Sequence, residues 1–472
     1  MTNHQIALAP KNTFRSKPHW KPYPAYKPSG IQWLGEIPEH WQAKRLKFTI
    51  TGCQNGLWGD EPLSNAEDIA CVRVADFDRV RNCVADGELT IRNIPRSQWR
   101  SRLLKKDDLL LEKSGGGELQ PVGVVVIYER DCPAVCSNFV ARMPVAPDNE
   151  AKFLCYLHAA LYAGRINVRS IKQNTGIQNL DSDMYLNERV GLPPRSEQDV
   201  ISTFLDREMA RIDSLIEKKQ RQIELLHEKR AALISHAVTQ GLDPNVRMKD
   251  SGIEWLGEIP AHWEARRLKR VAEARFSGVD KHSVDSEQTV RLCNYVDVYY
   301  HDRITSDLDF MTATATPDEV RRFTIKEGDV LVTKDSEEWD DIAVPAFVSE
   351  QLEGVICGYH LALIRAIPGR MNGRFLFRAF SACGINDQFR VEATGITRYG
   401  LSKYGLNNAL FPVPPLPEQH AIAAFLDREM TRIDALVGKV EKSIELLREF
   451  RSALISGAIT GSIDVRAEAA AC

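Results

Sequence analysis

The sequence predicts an α/β (α+β) protein: two pseudo-repeated globular domains and two long helices that pair as a coiled coil. Three observations predict it. Residues 192–243 return at 413–464 without a gap, 29 of the 52 aligned positions being identical, and a repeat of this size decides the architecture before any single element is assigned. Both copies carry apolar residues at alternating steps of four and three, the pattern of a helix seam. Short β-rich runs precede each copy in matching register.

The chain opens with residues 1–28, which hold five Lys/Arg, no Asp or Glu, and prolines at 10, 18, 22, 24 and 28. A disordered, basic, Pro-rich arm is expected there. Next comes Ser29-Gly30-Ile31-Gln32-Trp33-Leu34-Gly35-Glu36-Ile37-Pro38-Glu39-His40-Trp41, ending Arg45-Leu46-Lys47. It returns as Ser251-Gly252-Ile253-Glu254-Trp255-Leu256-Gly257-Glu258-Ile259-Pro260-Ala261-His262-Trp263, ending Arg267-Leu268-Lys269. Fifteen of these 19 positions match. Paired tryptophans around Ile-Pro predict a clasp that buries rings, with His40 and His262 as packing or hydrogen-bonding residues rather than ligands.

The first body is expected over 29–192 and the second over 244–413. Their sequences diverge, but landmarks keep an offset of 221: Asp76 with Asp297, Asp108 with Asp329, Lys113 with Lys334, Cys136 with Cys357. The two bodies should therefore share one fold. Strands are expected at 71–75, 109–111, 122–128, 290–298 and 330–332, and helices at 153–162 and 375–380.

Two polar loops stand out in each body. In the first they carry Lys113 and Ser114, then Gln173, Asn174, Thr175, Gln178 and Asn179. In the second they carry Lys334 and Asp335, then Thr394, Thr397, Arg398 and Tyr399. Such side chains read base edges or hold phosphates, although exposure alone also makes a loop polar. Gly115-Gly116-Gly117 reads as a flexible loop.

The repeated helices are expected within 193–243 and 414–464. The seam of the first is Leu205, Met209, Ile212, Ile216, Ile223, Leu226 and Leu233. That of the second is Leu426, Met430, Ile433, Val437, Val440, Ile444, Leu447 and Leu454. Lys219, Arg230 and Arg451 interrupt the two stripes. Ser196 is the expected N-cap of the first helix, Pro417 suits a first turn, and Gly241 and Gly461 suit the residue past each end. At about 1.5 Å per residue, 197–238 is a rod of roughly 60 Å, and its apolar stripe needs a partner. Residues 465–472 are expected to fray.

Composition excludes several classes. A chain of 472 residues is long enough for two to four domains, and 43% hydrophobic with 26% charged residues is ordinary for a soluble globular protein. A net charge of −3 carries no nucleic-acid signal by itself. The ten cysteines contain no Cys-x-x-Cys pair, and no histidine cluster follows Cys132 and Cys136. They read as reduced thiols, with no metal. No apolar run reaches membrane-spanning length and no signal-peptide core is present, so a cytoplasmic location is expected. The Pro-Pro pairs sit in Leu192-Pro193-Pro194-Arg195 and Val413-Pro414-Pro415-Leu416, without the Asp/Asn and aromatic of an amino-methyltransferase. Neither a Pro-Asp…Asp/Glu-x-Lys nuclease arrangement nor a Gly-x-x-x-x-Gly-Lys-Ser/Thr phosphate loop occurs. No catalytic residue is assigned.

Body, Pro-Pro-x-x-Glu-Gln helix, second body, second such helix: this order, with the duplicated Trp-Leu-Gly-Glu-Ile-Pro-x-His-Trp clasp and Phe-Leu-Asp-Arg-Glu run, resembles the specificity subunit of type I restriction-modification systems from Pro22 onward. The resemblance implies that each body is a target-recognition domain reading one half of a bipartite, asymmetric site on double-stranded DNA. It implies that the two helices are an antiparallel coiled-coil spacer between the bodies. It further implies modification (methyltransferase) subunits, usually two, that bind S-adenosylmethionine and methylate adenine, and a restriction subunit that uses ATP and Mg. This chain itself would bind no cofactor. A coiled-coil assembly protein whose bodies bind proteins is the alternative. It accounts for the helices but not for bodies that diverge while keeping register.

Overall fold

Backbone chemistry at the Pro-Pro pairs decides where sheet gives way to helix. In the computed structural model, which describes residues 20–117, 119–174 and 176–468, strand Arg189–Leu192 pairs antiparallel with Gln42–Arg45, and Leu410–Val413 with Glu264–Arg267. The prolines that follow lack the N–H that would extend either ladder. Their carbonyls accept the first helical bonds instead: Glu197 and Gln198 donate to Pro194, Glu418 and Gln419 to Pro415. Helices α1 (Arg195–Gln240) and α2 (Leu416–Ile459) follow. Ser196 is therefore inside the first turn rather than its N-cap, because Pro194 already closes that turn. Pro417 falls in the first turn of α2, and Gly241 and Gly461 adopt φ of 79° and 71° just past the two ends.

The chain divides into two compact units, 1–218 with 443–472 and 219–442. In the first, the buried strand Asp108–Glu112 lies between Val140–Met143 and Val125–Tyr128, and Cys83–Val84 continues the sheet. In the second, Val330–Thr333 lies between Leu361–Ala366 and Pro345–Val348, and Arg303–Ile304 continues it. Each unit adds a three-stranded sheet: Asp68–Val72 between Ala134–Cys136 and Thr90–Asn93, and Gln288–Cys293 between Val355–Cys357 and Met311–Ala315. Cys136 faces Val72 and Cys357 faces Cys293, so even the parallel register is shared.

The register-matched acids hold this frame. Asp108 accepts the Lys105 N–H and pairs with Arg142. Asp329 accepts the Lys326 N–H and pairs with Arg365 at 2.6 Å. Asp76 and Asp297 accept the N–H of Arg73 and of Asn294, both at 2.7 Å. In the second unit this closes a capping box and starts a short helix, Tyr295–Tyr299. The strand expected to reach 298 therefore stops at Cys293. Helices Ala151–Ala163 and Gly373–Phe380 follow the sheets.

Each unit contains segments of both long helices. In the first, Leu205, Met209 and Ile212 of α1 share a core with Leu454, Ile455, Ala458 and Ile459 of α2, with Ile216 and Leu447 at its edge. Arg207 reaches the Glu468 carbonyl while Asp213 meets Arg451, so the segments run antiparallel. In the second, Ile234, Ala237 and Val238 pack with Leu426, Met430 and Ile433, and with Leu226, Leu233 and Val437 at the edge. Ile223 is half-buried and Ile444 buried. This is the layer arrangement expected of elements that each bury one face.

The Glu-Gln of each motif explains the clasp. Glu197 accepts from the Trp41 indole at 3.0 Å and lies 2.6 Å from His40 Nε2; Glu418 does the same for Trp263 at 2.9 Å and His262 at 2.7 Å. Gln198 accepts the Glu150 N–H and donates to the Pro193 carbonyl; Gln419 accepts the Asn372 N–H and donates to the Pro414 carbonyl. Both tryptophans are fully buried.

Two terminal expectations are corrected. Residues 1–19 lie outside the described residues, but 20–28 are ordered. Trp20 stacks on Phe450 with ring centres 5.9 Å apart, Tyr23 is buried, and Tyr26–Ile31 pairs with Gly35–Pro38. Three aromatic rings in nine residues bury enough surface to offset the entropy that proline content and charge alone suggested would win. Residues 465–468 do not fray either: Val465 is buried, Arg466 pairs with Asp464 at 2.7 Å, and the Asp464 N–H donates to the Lys21 carbonyl. Residues 469–472 lie outside the described residues.

Candidate nucleic-acid interface

The two polar loops of each body meet. In the first unit Ser114–Gly115 pairs antiparallel with Ile177–Leu180, placing Ser114 opposite Asn179 and Gly115 opposite Gln178. Leu180 N donates to the Lys113 carbonyl, and the Ser114 hydroxyl lies 2.6 Å from Asn179 Oδ1. In the second unit Asp335–Ser336 pairs with Tyr399–Gly400, placing Asp335 opposite Gly400, and Leu401 N donates to the Lys334 carbonyl. The shared register follows from Glu112 and Thr333, the equivalent last residues of the strands that lead into the two loops.

The side chains on this frame differ. Lys113 N donates to the Phe139 carbonyl, and Lys334 N to the His360 carbonyl, so Phe139 and His360 hold one position. By the same offset Ser114 answers to Asp335, Ile177 to Arg398, Gln178 to Tyr399 and Asn179 to Gly400. The first site is a groove of about 1080 Å³ lined by Trp58, Arg73, Arg79, Ser114, Phe139 and Ile177. The second is a charged and aromatic cluster: Asp335 sits 2.9 Å from His360 Nδ1 and 2.8 Å from Arg398. Tyr295 stacks on Tyr299 with ring centres 5.3 Å apart.

The sequence-selected residues do not all face solvent. Lys113 donates to Asn55 Oδ1 at 2.9 Å, and Lys334 to the Ser277 carbonyl at 2.9 Å while its ammonium lies 4.2 Å from the Tyr359 ring centre. Burial lowers the Lys334 pKa below the usual lysine range. Both lysines thus tie loop to sheet edge. Gln178 is buried and accepts the Val122 N–H. Asn179, Thr394, Thr397 and Arg398 are exposed and Tyr399 is half-buried. Thr394 and Gly400 exchange backbone hydrogen bonds, which sets Thr397 at the tip of a hairpin. Gln173 and Asn174 lie on strand Ile171–Asn174, paired with Ile177–Leu180; Thr175 lies outside the described residues.

Sequence reading missed Trp58, Arg79, Phe139, Tyr359 and His360, which come to these sites from turns and loops distant in sequence. Arg79 donates to the buried Glu112 at 2.9 Å. Burial raises the Glu112 pKa, against the pull of that guanidinium. Gly116, read as part of a flexible loop, is packed instead: φ is 67°, and a Cβ there would stand 2.5 Å from Val122 N. Among the described residues no cluster of three or more His, Cys, Asp or Glu is placed to hold a metal, and no helix is long and apolar enough to cross a membrane.

Residues 260–446 match the family described as the type I restriction modification DNA specificity domain. The chain is 22% identical over 311 residues to the type I restriction enzyme MjaVIII specificity subunit of Methanocaldococcus jannaschii, covering 66% of this chain and 70% of that protein. It is 23% identical over 448 residues to the putative MjaX specificity subunit of the same organism, covering 92% and 96%. A chain of the solved structure described as the structural basis of complex assembly and conformational transition of the type I R-M system aligns with a TM-score of 0.67 at 15% identity, covering 90% of this chain and 98% of that one.

Proposed function

We propose that this chain, similar to the specificity subunits of type I restriction-modification systems, is a non-catalytic reader of a bipartite, asymmetric DNA site that also scaffolds its enzyme partners. The body holding Ser114 and Asn179 reads one half-site; the body holding Asp335, Thr397 and Arg398 reads the other. The paired helices set the gap and carry two modification subunits, which bring S-adenosylmethionine to adenine. A restriction subunit supplies ATP- and Mg-dependent translocation and cleavage.

One observation carries the reading. The pairing at the start of each loop keeps one register, Ser114 opposite Asn179 and Asp335 opposite Gly400, while Phe139, Ser114, Ile177 and Asn179 give way to His360, Asp335, Arg398 and Gly400. A pure scaffold has no use for unlike surfaces at matched positions of two related bodies. Two readers do, because groove edges are told apart by donor, acceptor and apolar pattern. The modest net charge fits a complex in which partner subunits supply many of the phosphate contacts.

The test is a chain in which residues 22–250 are duplicated, expressed with the modification subunit. Single-molecule sequencing of adenine methylation should reveal a palindromic site made of two copies of the first half-site. Methylation that stays on the parent asymmetric site would sink the proposal.

A further inference from the structure

The two clasps share a sequence but not a filling. In the first unit three donors converge on Glu197: the Trp41 indole at 3.0 Å, His40 Nε2 at 2.6 Å and the Tyr23 hydroxyl at 2.7 Å. Arg466 lies 4.9 Å from the Tyr23 ring centre, and the Glu197 side chain is 7% exposed. Trp20, three residues earlier, meets Phe204 edge-on at 6.0 Å, and Phe204 is buried. Residues 20–23 thus cover one face at the start of α1.

In the second unit Glu418 keeps the indole and the imidazole, but among the described residues no phenol reaches it, and its side chain is 42% exposed. A cavity of about 230 Å³ opens beside it, lined by Gly241, Val246, His262, Glu418, Ala421 and Ile422. Phe425, the counterpart of Phe204, is only half-buried. The segment that precedes this clasp is the connector 241–247, Gly-Leu-Asp-Pro-Asn-Val-Arg, which has no aromatic residue.

We propose that the second clasp is a docking site for an extended segment of a partner protein carrying aromatic-x-x-Tyr, the pattern of Trp20-Lys21-Pro22-Tyr23. The tyrosine fills the cavity and donates its hydroxyl to Glu418, and the preceding aromatic covers Phe425. The first clasp is the template, since the same acid, indole and imidazole take that segment from the chain itself. The occupant comes from another protein. The residues of this chain outside those described contain neither Tyr nor Trp, and Trp20 and Tyr23 are already engaged in the first unit.

The probe is a labelled peptide of residues 18–28, titrated against the full chain by fluorescence anisotropy. Saturable binding with a Kd below about 1 mM is expected. Replacing the peptide's Tyr23 by Phe should weaken it about tenfold or more, the loss of one hydrogen bond to a carboxylate. Ala421→Trp, which fills the cavity without removing a contact, should abolish binding, as should Glu418→Ala, while Glu197→Ala should leave it intact. Absence of saturation, binding that survives Ala421→Trp, or dependence on Glu197 in place of Glu418 would each overturn the proposal. So would Glu418-dependent self-association in sedimentation, which would make a second copy of this chain the occupant.

Discussion

Arg451 donates to Asp213 and, through its other terminal nitrogen, to the Val80 carbonyl at 2.5 Å. The same arrangement stands 221 positions away. Arg230 donates to Asp434 at 2.6 Å and approaches Asp302 at 4.0 Å. In each unit one arginine on a long helix joins the other helix to a body loop. The two arginines that break the apolar seam are therefore part of the repeat's design rather than flaws in it.

The two pairs should differ in strength. Arg451 is 11% exposed and Asp213 31%, whereas Arg230 is 27% and Asp434 58% exposed. A double-mutant cycle of Arg451→Ala and Asp213→Ala, read by urea denaturation, should give a coupling of about 1–3 kcal/mol, as for hydrogen bonds to charged groups. The Arg230–Asp434 cycle should give about 0–1 kcal/mol, because solvent screens the exposed acid. Equal couplings would contradict this account.

Acid should destabilise the first unit through His158. The imidazole is buried, bonds to the Tyr185 hydroxyl at 2.7 Å, and burial pushes its pKa down to about 4 from an ordinary 6.5. A folded pKa below the unfolded one means that the full stability is present above about pH 6.5 and is lost as pH falls toward 4, by up to about 3 kcal/mol at roughly 1.4 kcal/mol per unit. His158→Gln should flatten the pH dependence of unfolding across that window by up to one proton; an unchanged slope would show that other groups dominate.

Gly116→Ala should be costly for its size. It forces a side chain into φ 67° and against backbone that a rotamer change cannot move. A loss of about 1–3 kcal/mol is expected, together with weaker discrimination at the first half-site only. Gly117→Ala, with open space around its Cβ position, is the control.

Arg398→Ala should act on the second half-site alone. On the proposed reading, losing one base contact relaxes discrimination by about 1–3 kcal/mol, visible as extra methylated variants of that half-site with the first half-site unchanged. Degeneracy in both halves would mean that Arg398 supports assembly rather than readout.

The parts legible in the sequence are those fixed by local or periodic chemistry. The seam at Leu205, Ile212, Leu426 and Ile433 announces itself through spacing, and the body landmarks through a constant offset. The loops at 113–114 and 177–179 were visible as polar runs, but not their pairing, which depends on two strands 65 residues apart in Ser114 and Asn179. Gln178 looked like a reader and is buried because Val122 N needs an acceptor. Trp58, Phe139 and His360 carry no local signal, since each lies in a turn or loop that only the pairing of distant strands brings to its site. The order of 20–28 is hidden from composition, because its prolines and lysines signal an extended arm while Trp20, Tyr23 and Tyr26 pack it onto the first unit.

The division of the chain at 218 and 443 also sets an order of events during synthesis. The second unit, 219–442, is continuous and can close as soon as its last helix segment emerges. The first waits: Leu205 and Ile212 gain their partners Leu454 and Ile455 only some 240 residues later. At roughly 5–20 residues per second that is a delay of about 12–50 s. Through that interval the nascent first body holds an uncovered apolar groove, so truncation before Leu454 should expose the amino-terminal unit to aggregation while leaving the carboxyl-proximal one folded.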